Sequence, residues 1–167
     1  MTTVPAAVLW CALALAACGP LGRLGEGRLE ATWTGSDHGR LSGSATAIWC
    51  PGAHIAQLTG MSGDTGVALL VHPADSLAAG RYPIVEPGRA RTTSPAAALG
   101  LRLLGPNAVV GYQGATGALV IERMAAGRLS GRFESTAKVV GPLAGTVKLT
   151  GRFQDVALAT GDSTCPP

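Results

Sequence analysis

From residue 28 onward the chain alternates between apolar and polar positions. In 28–34, Leu29, Ala31 and Trp33 fall on one face and Arg28, Glu30, Thr32 and Thr34 on the other, the two-residue period of a half-buried strand. The turn cluster Gly35-Ser36-Asp37-His38-Gly39 follows, and 40–49 resumes with Leu41, Gly43, Ala45, Ala47 and Trp49 against Arg40, Ser42, Ser44 and Thr46. These two runs predict a hairpin. Shorter apolar runs at 53–59 and 65–72 flank Gly60-Met61-Ser62-Gly63-Asp64. In the second, Gly66 to Val71 is apolar on both faces and predicts a central strand.

Between His72 and Pro106 five prolines interrupt the pattern. They leave room for a short edge strand from Arg81 to Glu86. Alternation of Leu99, Leu101 and Leu103 with Gly100 and Arg102 predicts a strand over 98–104. Val109 to Tyr112 and Ala118 to Met124 read as a pair folded around Gly114-Ala115-Thr116-Gly117. Strict alternation then fills 128–139 and 146–153. In the last run the phase slips at Gln154-Asp155 before Val156 and Leu158, which predicts a bulge. The fold class that follows is all-β: an antiparallel β-sandwich or barrel-like sheet. Gly39-Arg40-Leu41-Ser42-Gly43 recurs as Gly127-Arg128-Leu129-Ser130-Gly131, and Leu58-Thr59-Gly60 as Leu149-Thr150-Gly151, both about ninety residues on. That spacing fits either a duplicated hairpin unit or chance in a Gly-rich chain.

Ahead of this domain lies a different pattern. An apolar run of roughly ten residues, Val8 to Ala17, ends at Cys18, well short of the ~20 that a membrane-spanning helix needs, and Gly19-Pro20-Leu21-Gly22 breaks it at once. It reads as the apolar part of a signal peptide. Leu15-Ala16-Ala17-Cys18 resembles the lipobox of bacterial lipoproteins. The resemblance implies cleavage before Cys18, a lipid on that cysteine, and a mature protein hung from a membrane. The expected organisation is a signal peptide over 1–17 with a helical apolar stretch, a lipidated Cys18 with a flexible tether over 18–27, and one β domain over 28–167. By the same resemblance, Gly19 after the modified cysteine favours the outer membrane over the inner, on its periplasmic face or at the surface.

With the leader removed and Cys18 lipidated, Cys50 and Cys165 are the remaining thiols of an exported chain. The expectation is a disulfide between them. A metal site or a reactive thiol is the alternative, and no CxxC spacing supports the first. Charge adds little: the formal net charge is +3, too small and too evenly spread to argue for a nucleic-acid partner.

Candidate chemistry is sparse. GxSxG, HExxH, the phosphate-binding Gly-rich loop ending in GK[ST], and GxGxxG are absent from the sequence, so no catalytic residue, metal ligand or cofactor is assigned. His38 lies in a turn beside Asp37, His54 near Cys50, and His72 before a proline with Asp75 three residues on. Such pairs suit an acid/base role or metal ligation, with Asp64, Glu86 or Asp162 to complete a site, and equally suit turn residues bonded to backbone. Arg81, Arg89, Arg91 and Arg102 would meet lipid headgroups or an acidic partner if gathered on one face, and otherwise serve as solubilising charges on loops. The weak binding candidates are therefore Asp37, His38, His72, Arg89 and Arg91. Trp33, Trp49, Phe133 and Phe153 are assigned to the core.

The functional expectation is an exported, membrane-anchored protein with a non-enzymatic binding or structural role. An accessory subunit of a larger membrane complex would show an exposed apolar patch. A carrier of a hydrophobic ligand would need an enclosed cavity of several hundred Å³. An enzyme would need two or more of His38, His54, His72, Asp37 and Asp75 in one cleft.

Overall fold

The alternation along the chain becomes an inside and an outside. A computed structural model of the chain describes residues 27–105, 108–161 and 165. These form nine strands and one short helix: β1 (Gly27–Gly35), β2 (Gly39–Cys50), β3 (Ile55–Ser62), β4 (Thr65–His72), β5 (Gly80–Pro83), α1 (Pro87–Ala90), β6 (Ala96–Leu104), β7 (Val109–Ala125), β8 (Arg128–Val139) and β9 (Thr146–Thr160). The expected signal helix and Cys18 lie outside the described residues.

All nine strands belong to one sheet, and the β7–β8 pairing closes the run from β7 to β8 into a ring. The result is a closed, antiparallel barrel of eight strands with β5 added along β7, which decides between the two architectures that alternation alone allows. Closure satisfies the backbone of every strand in the ring and leaves no long open edge. Leu29, Ala31, Trp33, Leu41, Val67, Leu69, Val71, Leu99, Leu101, Phe133, Val147, Leu149 and Phe153 are all buried inside. Between them, Arg28, Thr32, Arg40, Arg132 and Arg152 stand in solvent. On β4 only Val67, Leu69 and Val71 are buried, because a strand of a closed ring has one interior face whatever its composition.

Two predicted elements differ. Residues 109–112 and 118–124 are one 17-residue strand, β7, rather than a pair around a turn. Ala115 is an extra residue in the register between Gly114 and Thr116, and Gly117 adopts φ 139°. A bulge next to a left-handed glycine bends a strand without reversing it. The bend lets one edge of β7 leave β6, which it pairs through Val109–Gln113, and take up β5 at Ala118–Ile121. The third strand starts at Ile55, not 53, since His54, at φ 54°, closes the Pro51–His54 turn with its N–H donating to Pro51 O. The predicted edge strand is the short β5, beyond which Ile84 bridges to Ala97 of β6.

The bulge at 154–155 is present. Leu129 pairs Val156 and Gly131 pairs Phe153, so one residue of β8 faces two of β9. Asp155 sits at φ 54°, and its N–H donates to Ser130 Oγ at 3.0 Å. The sequence echo also has a structural counterpart. Each GRLSG opens the first strand of a hairpin, and the residue four beyond its leucine, Ala45 or Phe133, is registered opposite the glycine of LTG, Gly60 or Gly151. Cys50 ends β2 and is disulfide-bonded to Cys165 across a separation of 115 residues. The bridge sits at the end of the barrel where β1 begins.

Candidate functional site

Asp37 and His38 occupy the β1–β2 turn, where Asp37 Oδ1 accepts the His38 backbone N–H at 2.6 Å. His72 ends β4, and its antiparallel course and that of β1 put it at the opposite end of the barrel. There Ser94 Oγ donates to Pro73 O at 2.7 Å, holding the loop that carries Arg91 against His72. Burial, then the charge of Arg91, holds the His72 imidazole below its ordinary pKa. Arg89 lies in α1, its carbonyl accepting from Thr92 and Thr93. His54 packs edge-on against Trp49, with ring centroids 5.3 Å apart. Thus His72 and Arg91 come together, and Asp37–His38 stands apart from both. The four arginines of the loosely patterned segment are spread over β5, α1, the loop after it and β6. Among the described residues no three or more His, Cys, Asp or Glu side chains are placed to hold a metal ion.

The barrel interior is filled. An apolar void of about 10 Å³ remains between Ala47, Ala56, Leu69, Leu119 and Phe153, with Leu77 from the β4–β5 loop lining it. That is the space of about one water molecule.

Outside, the sheet carries a shallow depression. An open groove of about 1170 Å³ runs over the outer faces of β2, β1, β9, β8 and the end of β7. Bulges in β7 and β9 lie along it. One cross-strand row consists of Ser42, Glu30, Arg152 and Arg132, and the next of Arg40, Thr32, Thr150 and Glu134.

Electrostatics organise this floor. Glu30 accepts from Arg152 at 2.7 and 2.9 Å and pairs with Arg28 at 3.0 Å. The Arg152 hydrogen bond is the chief reason why its carboxyl lies below the usual carboxylate range. Arg132 and Arg152 face each other directly across β8 and β9, an arrangement that repels unless each charge is compensated. Arg132 is paired with Glu122, as Arg152 is with Glu30. Asp155, aimed outward by the bulge, pairs with Arg128 at 2.8 Å and Arg123 at 3.8 Å. Arg40 forms no ion pair among the described residues. Thr32 and Thr150 hydroxyls meet at 3.1 Å.

No family model, curated protein or solved structure matches this chain. The groove therefore stands on its own geometry. In the sequence these arginines are simply the polar members of alternating strands, and the signal that could have found them is Arg recurring on the outward face of four different runs. Which of them become neighbours depends on register, and register is not a property of any one run.

Proposed function

We propose that the chain is an exported, lipid-tethered β-barrel that serves the cell envelope as a binding or structural element through its outer surface, without catalysis. The observation that carries this reading is the contrast between the filled interior and the groove of about 1170 Å³ outside it. The enclosed space of several hundred Å³ that a carrier of hydrophobic ligands needs is not offered by the void beside Leu77. The Cys50–Cys165 bridge supports export, since disulfides of this kind persist in oxidising compartments.

The lipobox-like Leu15-Ala16-Ala17-Cys18 supplies the anchor in this reading. Nine residues from Cys18 to Glu26 precede Gly27, enough for about 30 Å of extended chain. The barrel end that carries Cys50–Cys165 would then face the membrane, with Gly19 favouring the outer one.

A second reading, an accessory subunit of a membrane complex, is favoured by exposed Val109, Val140 and Leu143, which are 63, 55 and 65% exposed. Val109 opens β7 and Val140 and Leu143 lie in the β8–β9 loop, all at the far end of the barrel, where a partner would cover them.

Intact-mass analysis of the native product tests the first reading. Loss of residues 1–17 and an acyl adduct on Cys18 are expected, whereas Met1 retained without an adduct would overturn it. Co-purification from native membranes tests the second: a partner that survives in wild type and is lost in Leu143→Glu is the expected result, and isolation of the barrel alone would overturn it.

A further inference from the structure

We infer that the outer groove over β2, β1, β9 and β8 binds an acidic saccharide, one whose sugar rings carry carboxylate or phosphate groups. This inference rests on the reading that the outer surface does the work, and not on the lipid anchor. Four arginines, Arg40, Arg123, Arg132 and Arg152, and three carboxylates, Glu30, Glu122 and Asp155, line the groove, with Arg28 and Arg128 paired to Glu30 and Asp155 at its rim and Glu134 at the end of one row. Groove, rim and row together carry more arginines than carboxylates, and this positive excess on one face draws an anionic ligand.

The mixture of groups selects the ligand class. Guanidinium groups on adjacent strands, Arg132 beside Arg152 with Arg40 two strands away, present planar forks suited to carboxylate or phosphate. Arg40 is available without breaking an ion pair to any of the described residues. Between them stand hydroxyls of Ser42, Thr32 and Thr150, and carboxylates that accept hydrogen bonds from sugar hydroxyls. A bare polyanion such as a nucleic-acid strand would meet Glu30, Glu122 and Asp155 as repelling charges. It would also find no exposed aromatic ring in the groove on which to stack a base. A hydroxyl-rich anion uses both signs.

The test is calorimetric titration of the full chain, in detergent at low salt, with oligogalacturonate and with a phosphorylated mannan oligosaccharide. The two probes separate carboxylate from phosphate as the anionic group. Binding of one or both is expected, weakening as salt rises. Arg132→Gln/Arg152→Gln should reduce it by about tenfold or more, the scale of one charge-assisted hydrogen bond. Arg40→Gln, which removes no ion pair among the described residues, should also weaken it. Arg102→Gln, on β6 outside the groove, should not. Failure of both probes to bind, equal binding by a neutral malto-oligosaccharide or by a single-stranded oligonucleotide, or indifference to Arg40→Gln would each overturn the site. A chain that carries the acyl adduct yet binds neither probe would remove the groove ligand and leave the tethered-barrel reading in place.

Discussion

The ring of Phe133 lies over Gly151, its register partner on the next strand, and two pairs along the same ladder Phe153 lies over Gly131 in the same way. A methyl group on either glycine would overlap the ring opposite. Each large residue thus fills the space that the glycine leaves, and the β8–β9 ladder can coil tightly with a filled interior. Gly151→Ala should destabilise the barrel by about 1–3 kcal/mol, the usual cost of overpacking. Gly100→Ala, where the new methyl meets nothing within 4 Å, should stay within about 0.5 kcal/mol of wild type or exceed it. Urea unfolding of both variants is the check, and equal midpoints would refute the close-approach argument.

Ser135 is the buried polar side chain of the β8 interior, 6% exposed. Its hydroxyl donates to Thr116 O at 2.9 Å, beside the bulged Ala115 of β7. Ser135→Ala strips that carbonyl of its partner and should lower stability by about 1–3 kcal/mol. The same unfolding assay measures it, and hydrogen exchange should show the loss concentrated around 114–118.

The Cys50–Cys165 bridge closes a loop over most of the domain and holds the segment beyond β9 to the end of β2. Gly161 N–H donates to Trp49 O at 2.7 Å and lies against Cys165. Cys165→Ser should cost about 2–4 kcal/mol. Non-reducing peptide mapping of wild type should recover Cys50 and Cys165 in one linked pair of peptides.

His72 makes stability depend on pH. Its pKa in the folded chain lies below the ordinary 6.5, so on acidification the unfolded chain takes up this proton first and gains from it. The stability His72 contributes is whole above about pH 6.5 and is lost as pH falls through the folded-state value. His72→Gln should flatten the fall in urea midpoint on the acid side of neutrality, and an unchanged slope would assign that fall to other groups. Arg91→Gln should shift the midpoint of the transition towards higher pH, because the nearby positive charge helps to hold the imidazole neutral.

Most strands were legible because a strand's side-chain period is local. Residues 28–34, 40–49, 128–139 and 146–153 each carry their own inside and outside, and the slip at 154–155 announced the bulge, whereas 65–72, apolar on both faces, told that it was a strand and not which face was interior. The 114–117 cluster misled for the same reason. Small residues and glycine mark both turns and bulges, and a bulge in β7 is distinguished from a turn only by β5 and β6 sharing its edge. The charged groove was invisible for a related reason: Glu30 and Arg152 are 122 residues apart, and nothing local says that β1 and β9 are neighbours.

By itself, then, the sequence determined which side chains of the alternating strands face the core, where one strand bends, that Cys50 and Cys165 are candidates to pair, and that a lipobox-like tetrapeptide precedes the domain. All of these are short-range regularities of side-chain size and polarity. Tertiary structure alone decided that the sheet closes, that the interior fills, and that arginines from separate runs gather on one outer face. Those outcomes follow from strand order and register, which are set by how all the interior faces pack together at once.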